Sequence, residues 1–152
     1  MVLTAEYQHS CQQEALRKAE EERHHHFEQL IREEAEYQRR EYGNDVIRML
    51  QGITSASPRF IAQCRMNSPL EANDDLMFEN CPICISDFQI NRYYARWPCK
   101  AEHIFHFNCM LGVLRTGNKC PLCRHPVEPA DLPNMDFIFR LMVRRGLGSV
   151  YD

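Results

Sequence analysis

Lysine is scarce: the 152 residues hold only Lys18, Lys100 and Lys119. The formal net charge is -3 with neutral histidines. There is no basic excess, and with it no general electrostatic case for nucleic-acid binding. No apolar run approaches the roughly 18 residues of a membrane span, so no transmembrane helix is predicted. The opening Met-Val-Leu-Thr-Ala-Glu lacks a basic stretch followed by an apolar one, and no signal peptide is expected. A reducing compartment, cytoplasmic or nuclear, follows as an expectation. There the eight cysteines would be metal ligands before they were disulfides. Glycine and proline are almost missing from residues 5–51, which therefore lack the residues that punctuate turns. No internal repeat is visible.

What is present divides the chain into four parts: a charged helical region at 1–51, a linker with short helices at 52–77, a cysteine-rich domain at 78–128, and a helix and tail at 129–152. From Glu14 to Glu41 there are nine acids and six bases. Glu14 with Lys18, Glu28 with Arg32 and Glu36 with Arg40 have the acid-before-base spacing that supports a helix. A thin apolar stripe runs through Leu16, Ala19, Phe27, Leu30, Ile31 and Tyr37, then Val46, Met49 and Leu50. Arg23 and Glu34 interrupt it. Seven-residue steps from Leu16 give Arg23, Leu30, Tyr37 and Asn44, so a strict heptad does not survive. The expectation is a long, mostly solvated helix ending near Tyr42, before Gly43-Asn44, with self-association through a coiled coil as the alternative. His24-His25-His26 is not read as a metal site, because adjacent helical residues point about 100° apart.

In the linker, Ser57-Pro58 offers an N-cap followed by proline at the first helical position. Ser68-Pro69-Leu70-Glu71 fits a capping box. Cys11 and Cys64 read as ordinary reduced thiols. Towards the end of the chain, Met135, Ile138, Phe139 and Met142 mark a helical stripe, with Arg144, Arg145 and Gly146 at its close.

The chemistry lies between 81 and 123. Cys81, Cys84, Cys99, His103, His106, Cys109, Cys120 and Cys123 offer six thiolates and two imidazoles, enough for two tetrahedral sites. Zinc suits this donor set, and sites closed by four protein ligands are structural ones. A two-residue gap, as in Cys81/Cys84, His106/Cys109 and Cys120/Cys123, lets a tight knuckle aim both donors at one ion. A disulfide framework would leave both histidines unexplained, and iron–sulfur clusters take mostly cysteine ligands. Counting leaves the pairing open. Cys81/Cys84 could share an ion with Cys99/His103, or with His106/Cys109.

The order C-x2-C-x14-C-x3-H-x2-H-x2-C-x10-C-x2-C resembles the RING finger family in its two-histidine subtype. The resemblance covers about residues 78–128, a third of the chain. It implies a small zinc-stabilised α+β domain with two zincs in a cross-brace, here with a long N-terminal α-helical extension and a C-terminal helix. It assigns Cys81, Cys84, His106 and Cys109 to one zinc and Cys99, His103, Cys120 and Cys123 to the other. Six thiolates and two divalent ions would take the formal charge to about -5. So little apolar content in this segment cannot build a sufficient core alone, and zinc should supply the folding energy.

The resemblance also implies a function: a RING-type ubiquitin ligase that binds a ubiquitin-loaded conjugating enzyme and promotes direct transfer to a substrate lysine. Catalysis would be by positioning, without a covalent intermediate. The family's contact positions fall on Ile83, Pro121 and Leu122, and its linchpin cation on Arg124, where a planar guanidinium suits the role. On the docking helix, many such domains carry Trp where this chain has Val113, followed by Leu114, so an aromatic anchor is missing. Trp97 is expected to pack the domain or meet the helix at 133–145, and Lys100-Ala101-Glu102 to form a bulge. The implied partners are the conjugating enzyme, ubiquitin and an unknown protein substrate, with no nucleic acid and no membrane. A RING scaffold that assembles proteins without catalysis is the competing reading. Self-modification is expected at Lys18 or the N-terminal amine.

Overall fold

The computed structural model describes residues 5–42, 51–72, 76, 79–89, 92–131, 140 and 143–144. Helix α1 runs through Ala5–Tyr42, 38 residues without glycine or proline. It stops where Gly43 was expected to stop it, and Arg39 and Arg40 lie in its last turn, where cations suit the helix dipole. The expected Glu14–Lys18 pair closes at 2.9 Å on the exposed half.

Helix α2, Pro58–Asn67, begins as its sequence dictates. The Ser57 hydroxyl accepts the Phe60 N–H at 3.0 Å, and Pro58 occupies the first helical position. Its end corrects one expectation. Ser68 does not start a helix in a capping box; it closes α2, its N–H donating to the Cys64 carbonyl at 2.9 Å. Leu70–Glu71 then forms β1, because its backbone finds partners in a neighbouring strand. Strand β2 is Tyr93–Arg96 and β3 is Ile104–His106. The sheet is antiparallel, ordered β1-β2-β3, with Leu70 opposite Tyr94 and Ala95 opposite Phe105. Helix α3, Phe107–Thr116, follows β3 without a loop.

The core collects Trp97 and Phe105 from the sheet region, Met110 and Leu114 from α3, and Ile61 from α2, all essentially inaccessible. Burying side chains of this size contributes roughly 1.5–3 kcal/mol each. Trp97 meets Phe105 edge-on at 6.4 Å, and its indole N–H donates to the His125 carbonyl at 3.1 Å. Trp97 thus packs the domain. The expected helix at 133–145 lies outside the described residues, apart from Arg140, Val143 and Arg144, which are helical. The short apolar turn expected after Asn44 lies outside them too.

Helix α1 is mostly solvated, as its charge suggests, but one stripe of its C-terminal half is covered. Its N-terminal half is exposed, but Leu30, Glu34 and Gln38 are buried. Ala56 is the joint. Its N–H donates to the Leu114 carbonyl at 2.8 Å, and its own carbonyl accepts the Gln38 amide at 2.6 Å. Ser57 and Ala130 complete an antiparallel junction, donating to the Glu128 and Ser55 carbonyls, each at 2.8 Å. Glu34, which reads as a break in the apolar stripe, is 1% exposed and sits between two arginines. Arg115 of α3 donates to both of its oxygens, at 3.0 and 2.7 Å, and Arg65 of α2 adds a bond at 2.9 Å. A buried carboxylate is tolerable only with such partners.

Candidate metal centres and docking surface

Two knuckles present the first and last cysteine pairs, and they are built alike. The Ile85 N–H donates to the Cys81 carbonyl at 2.8 Å, and the Arg124 N–H to the Cys120 carbonyl at 2.9 Å. Cys81 and Cys120 donate in turn to the Ser86 and His125 carbonyls, both at 2.9 Å. Single bridges, Asn80 with Asp87 and Lys119 with Pro126, flank the two turns. Each knuckle forces the residue after its second cysteine into the left-handed region: Ile85 has φ 61 and Arg124 φ 63. That conformation is costly for any L side chain and most unusual for a β-branched one.

The sheet and α3 supply the other donors. His106 ends β3 and occupies the N-cap position of α3 without capping it, because its ring faces sulfur. Its Nδ1 lies 3.2 Å from the Cys84 Sγ and 4.0 Å from the Cys109 Sγ, and its N–H approaches the Cys81 Sγ at 3.4 Å. The Nε2–H donates to the Asp87 carbonyl at 3.2 Å, which leaves the Nδ1 lone pair for the cluster. In the second set, the His103 Nδ1 lies 3.4 Å from the Cys99 Sγ and 3.5 Å from the Cys120 Sγ. Between Cys99 and His103 the chain turns tightly. Glu102 takes φ 47, and its N–H donates to the Cys99 carbonyl at 2.9 Å.

The eight donors therefore gather as two sets: Cys81, Cys84, His106 and Cys109, and separately Cys99, His103, Cys120 and Cys123. Within each, the donor atoms lie within 4.8 Å of one another. Spatial partners alternate along the chain, so the sets interleave.

The donor chemistry calls for a cation. Burial, reinforced by the neighbouring Cys84 and Cys81, pushes the Cys109 thiol up to about 12. The backbone of Ser86 brings Cys84 down to about 6 against its own burial. Crowded sulfurs resist becoming thiolates together unless a positive ion joins them. Three thiolates and one imidazole at this spacing fit zinc, and each set would hold one ion as a closed structural site.

Around these centres the expected docking residues have different exposures. Pro121, Leu122 and Arg124 are exposed, Leu122 at 51%. Ile83 and Val113 are half-buried and pack against the core. Leu114 corrects an expectation. It is fully buried, since α3 turns Met110, Leu111 and Leu114 inward, and so it cannot join an outer patch. Ile85 was missed by sequence reasoning. It is 78% exposed, the most exposed of the large apolar residues recorded. Its place directly after a C-x2-C pair, equivalent to that of Arg124, was the available signal. Among the described residues no helix is long and apolar enough to cross a membrane.

Residues 79–124 match the family profile described as Ring finger domain. Among curated proteins, the chain is 31% identical over 109 residues to the E3 ubiquitin-protein ligase RING1 of Gossypium hirsutum, covering 72% of this chain and 29% of that protein. It is 41% identical over 56 residues to the E3 ubiquitin-protein ligase RNF181 of Xenopus tropicalis, covering 37% and 34% respectively. The chain thus spans about a third of the length of these relatives. Among solved structures, the RING-H2 domain of Arabidopsis RMR1 aligns with a TM-score of 0.39 at 24% identity, covering 44% of this chain and 92% of that one.

Proposed function

The chain carries a Ring finger domain of the two-histidine type, and from that premise we propose that it is a RING-type E3 ubiquitin ligase. In this reading it binds a ubiquitin-loaded conjugating enzyme and favours attack by a substrate lysine on the thioester. The domain supplies no nucleophile. Its contribution is to hold two proteins in a reactive arrangement, which lowers the barrier by fixing orientation.

One observation carries the reading. Exposed Pro121, Leu122 and Arg124 sit on a knuckle whose backbone is locked by its own hydrogen bonds. Rigid apolar side chains beside a guanidinium suit a modest, transient interface, because little entropy is lost on docking. Ile83 and Ile85, on the equivalent first knuckle, would add apolar contact. Val113 would contribute from α3 with less area than an aromatic residue. Arg124 would bridge conjugating enzyme and ubiquitin, using a planar fork of donors. The eight cysteine and histidine ligands would hold two zinc ions that brace this surface and take no part in the transfer.

The test is a discharge assay with a panel of ubiquitin-loaded conjugating enzymes. Native protein should accelerate transfer to free lysine, whereas Arg124→Ala and zinc-stripped protein should not. Native protein shown to hold two zincs, yet inactive with the whole panel, would defeat the ligase reading in favour of a scaffold.

A further inference from the structure

The docking residues are spread over three elements: Ile83 on the first knuckle, Val113 on α3, and Pro121 and Leu122 on the second knuckle. Each knuckle is held by its own hydrogen bonds. The ligand on α3 is Cys109, in its first turn. Val113 lies one turn further on, in the half of α3 that carries no ligand. Something else must set its place relative to the second knuckle.

Residues 55–57 are buried and lie between the two. The Ala56 N–H donates to the Leu114 carbonyl at 2.8 Å. A carbonyl so near a helix end has no partner within the helix, so this bond closes α3 beside Val113. On the other side, residues 55–57 pair with residues 128–130 through the Ser57 and Ala130 N–H groups. Residues 128–130 follow directly from the base of the second knuckle, where the Val127 N–H donates to the Asn118 carbonyl at 2.8 Å. One short segment thus ties α3 to the second knuckle.

Helix α1 holds that segment and α3 together. Gln38 donates to the Ala56 carbonyl at 2.6 Å. Four residues earlier and on the same face, Glu34 accepts both bonds from Arg115 of α3. Glu34 and Gln38 are 1% and 4% exposed, so neither can touch a conjugating enzyme itself. We propose that they are positioning residues for the transfer reaction: through Arg115 and residues 55–57, α1 sets Val113 against the second knuckle. The proposal rests on the ligase reading and extends the docking machinery well outside the matched residues 79–124. Loss of this support should weaken binding of the loaded enzyme more than its alignment. Arg124 is kept in place within its own knuckle, its N–H donating to the Cys120 carbonyl at 2.9 Å. That combination raises KM and leaves kcat nearly unchanged.

The test measures initial rates of discharge to free lysine by the full chain against the concentration of ubiquitin-loaded conjugating enzyme. Each variant is first shown to hold two zincs with native Trp97 fluorescence. Gln38→Leu and Arg115→Ala should each raise KM about fivefold or more, with kcat within about twofold of wild type. If Arg115→Ala fails to hold zinc, Gln38→Leu carries the test, since it keeps the side-chain volume and removes one hydrogen bond. Glu34→Leu combined with Arg115→Leu should restore most of the KM, because a packed apolar pair still seats α1. A direct contact from Arg115 to the conjugating enzyme would not be restored this way. Arg17→Ala, which removes only the exposed bond to Glu21 at 2.6 Å, should change neither constant. Wild-type KM in Gln38→Leu, a fall in kcat with KM unmoved, or a double variant as defective as Arg115→Ala would overturn the proposal while the ligase reading stands. Wild-type protein inactive with every conjugating enzyme would remove the ligase reading, and this proposal with it.

Discussion

Replacing Arg115 by alanine should loosen α1 from the rest of the protein. Arg115 makes two hydrogen bonds to Glu34, at 3.0 and 2.7 Å, and its guanidinium stacks over the Tyr37 ring at 4.9 Å. The Glu34 bonds push Arg115 above its usual value, so its charge is secure. Without it, a carboxylate with 1% exposure keeps only Arg65. Breaking a buried pair by removing one partner costs about 3–5 kcal/mol, but the surviving Arg65 bond offsets part of that, leaving about 2–4 kcal/mol. The cost should fall on the docking of α1, which native-state hydrogen exchange of the zinc-loaded protein measures amide by amide. Amides of residues 27–38 should lose roughly 30- to 1,000-fold in protection. The double variant Glu34→Leu with Arg115→Leu should recover most of the loss, because a packed apolar pair needs no desolvated charge. A change of less than about threefold in Arg115→Ala would mean that the triad does not hold α1, and the reasoning fails.

Three more outcomes are expected. A strong zinc chelator should abolish the ordered signals of residues 79–128 and release two ions per chain by metal-indicator titration; retention of native Trp97 fluorescence after both ions leave would count against zinc-driven folding. Ile85→Gly should raise stability by about 1 kcal/mol by relieving the left-handed strain, yet slow discharge if Ile85 serves docking; equal activity would remove it from the surface. Burial pushes the Cys64 thiol above its ordinary value, with a Ser68 hydrogen bond opposing. The folded state therefore keeps the proton longer than the unfolded state. The resulting stability is intact below the ordinary thiol value and is lost as pH rises through it toward the folded one. Denaturation of wild type and Cys64→Ala between about pH 7 and 10 should show the steeper alkaline decline in wild type; parallel curves would refute this.

The eight ligand candidates were legible because donor spacing is a local property: a knuckle is four residues long, and its geometry is written in C-x2-C. The end of α1 and the Ser57 cap were legible for the same reason. The Ser68 error has a physical cause. Capping-box residues promise a helix only while their backbone lacks a better partner, and at Leu70–Glu71 the strand at Tyr93–Tyr94 provides one. Leu114 was placed on a surface from its position beside Val113, although neighbouring residues on a helix point in different directions. Glu34 was misread because a charge on an apolar stripe looks like an interruption until the matching cation is known, and Arg115 lies 81 residues away.

By itself, then, the sequence determined the inventory: which side chains can ligate a metal, where α1 stops, and where α2 is capped. These depend on contacts within a few residues. Tertiary structure decided the partnerships: which ligand pairs gather in one set, that Ala56 joins α1 to α3, and that Ile85 faces water in a left-handed turn. Each of these depends on where a distant backbone lies, and no local spacing encodes that.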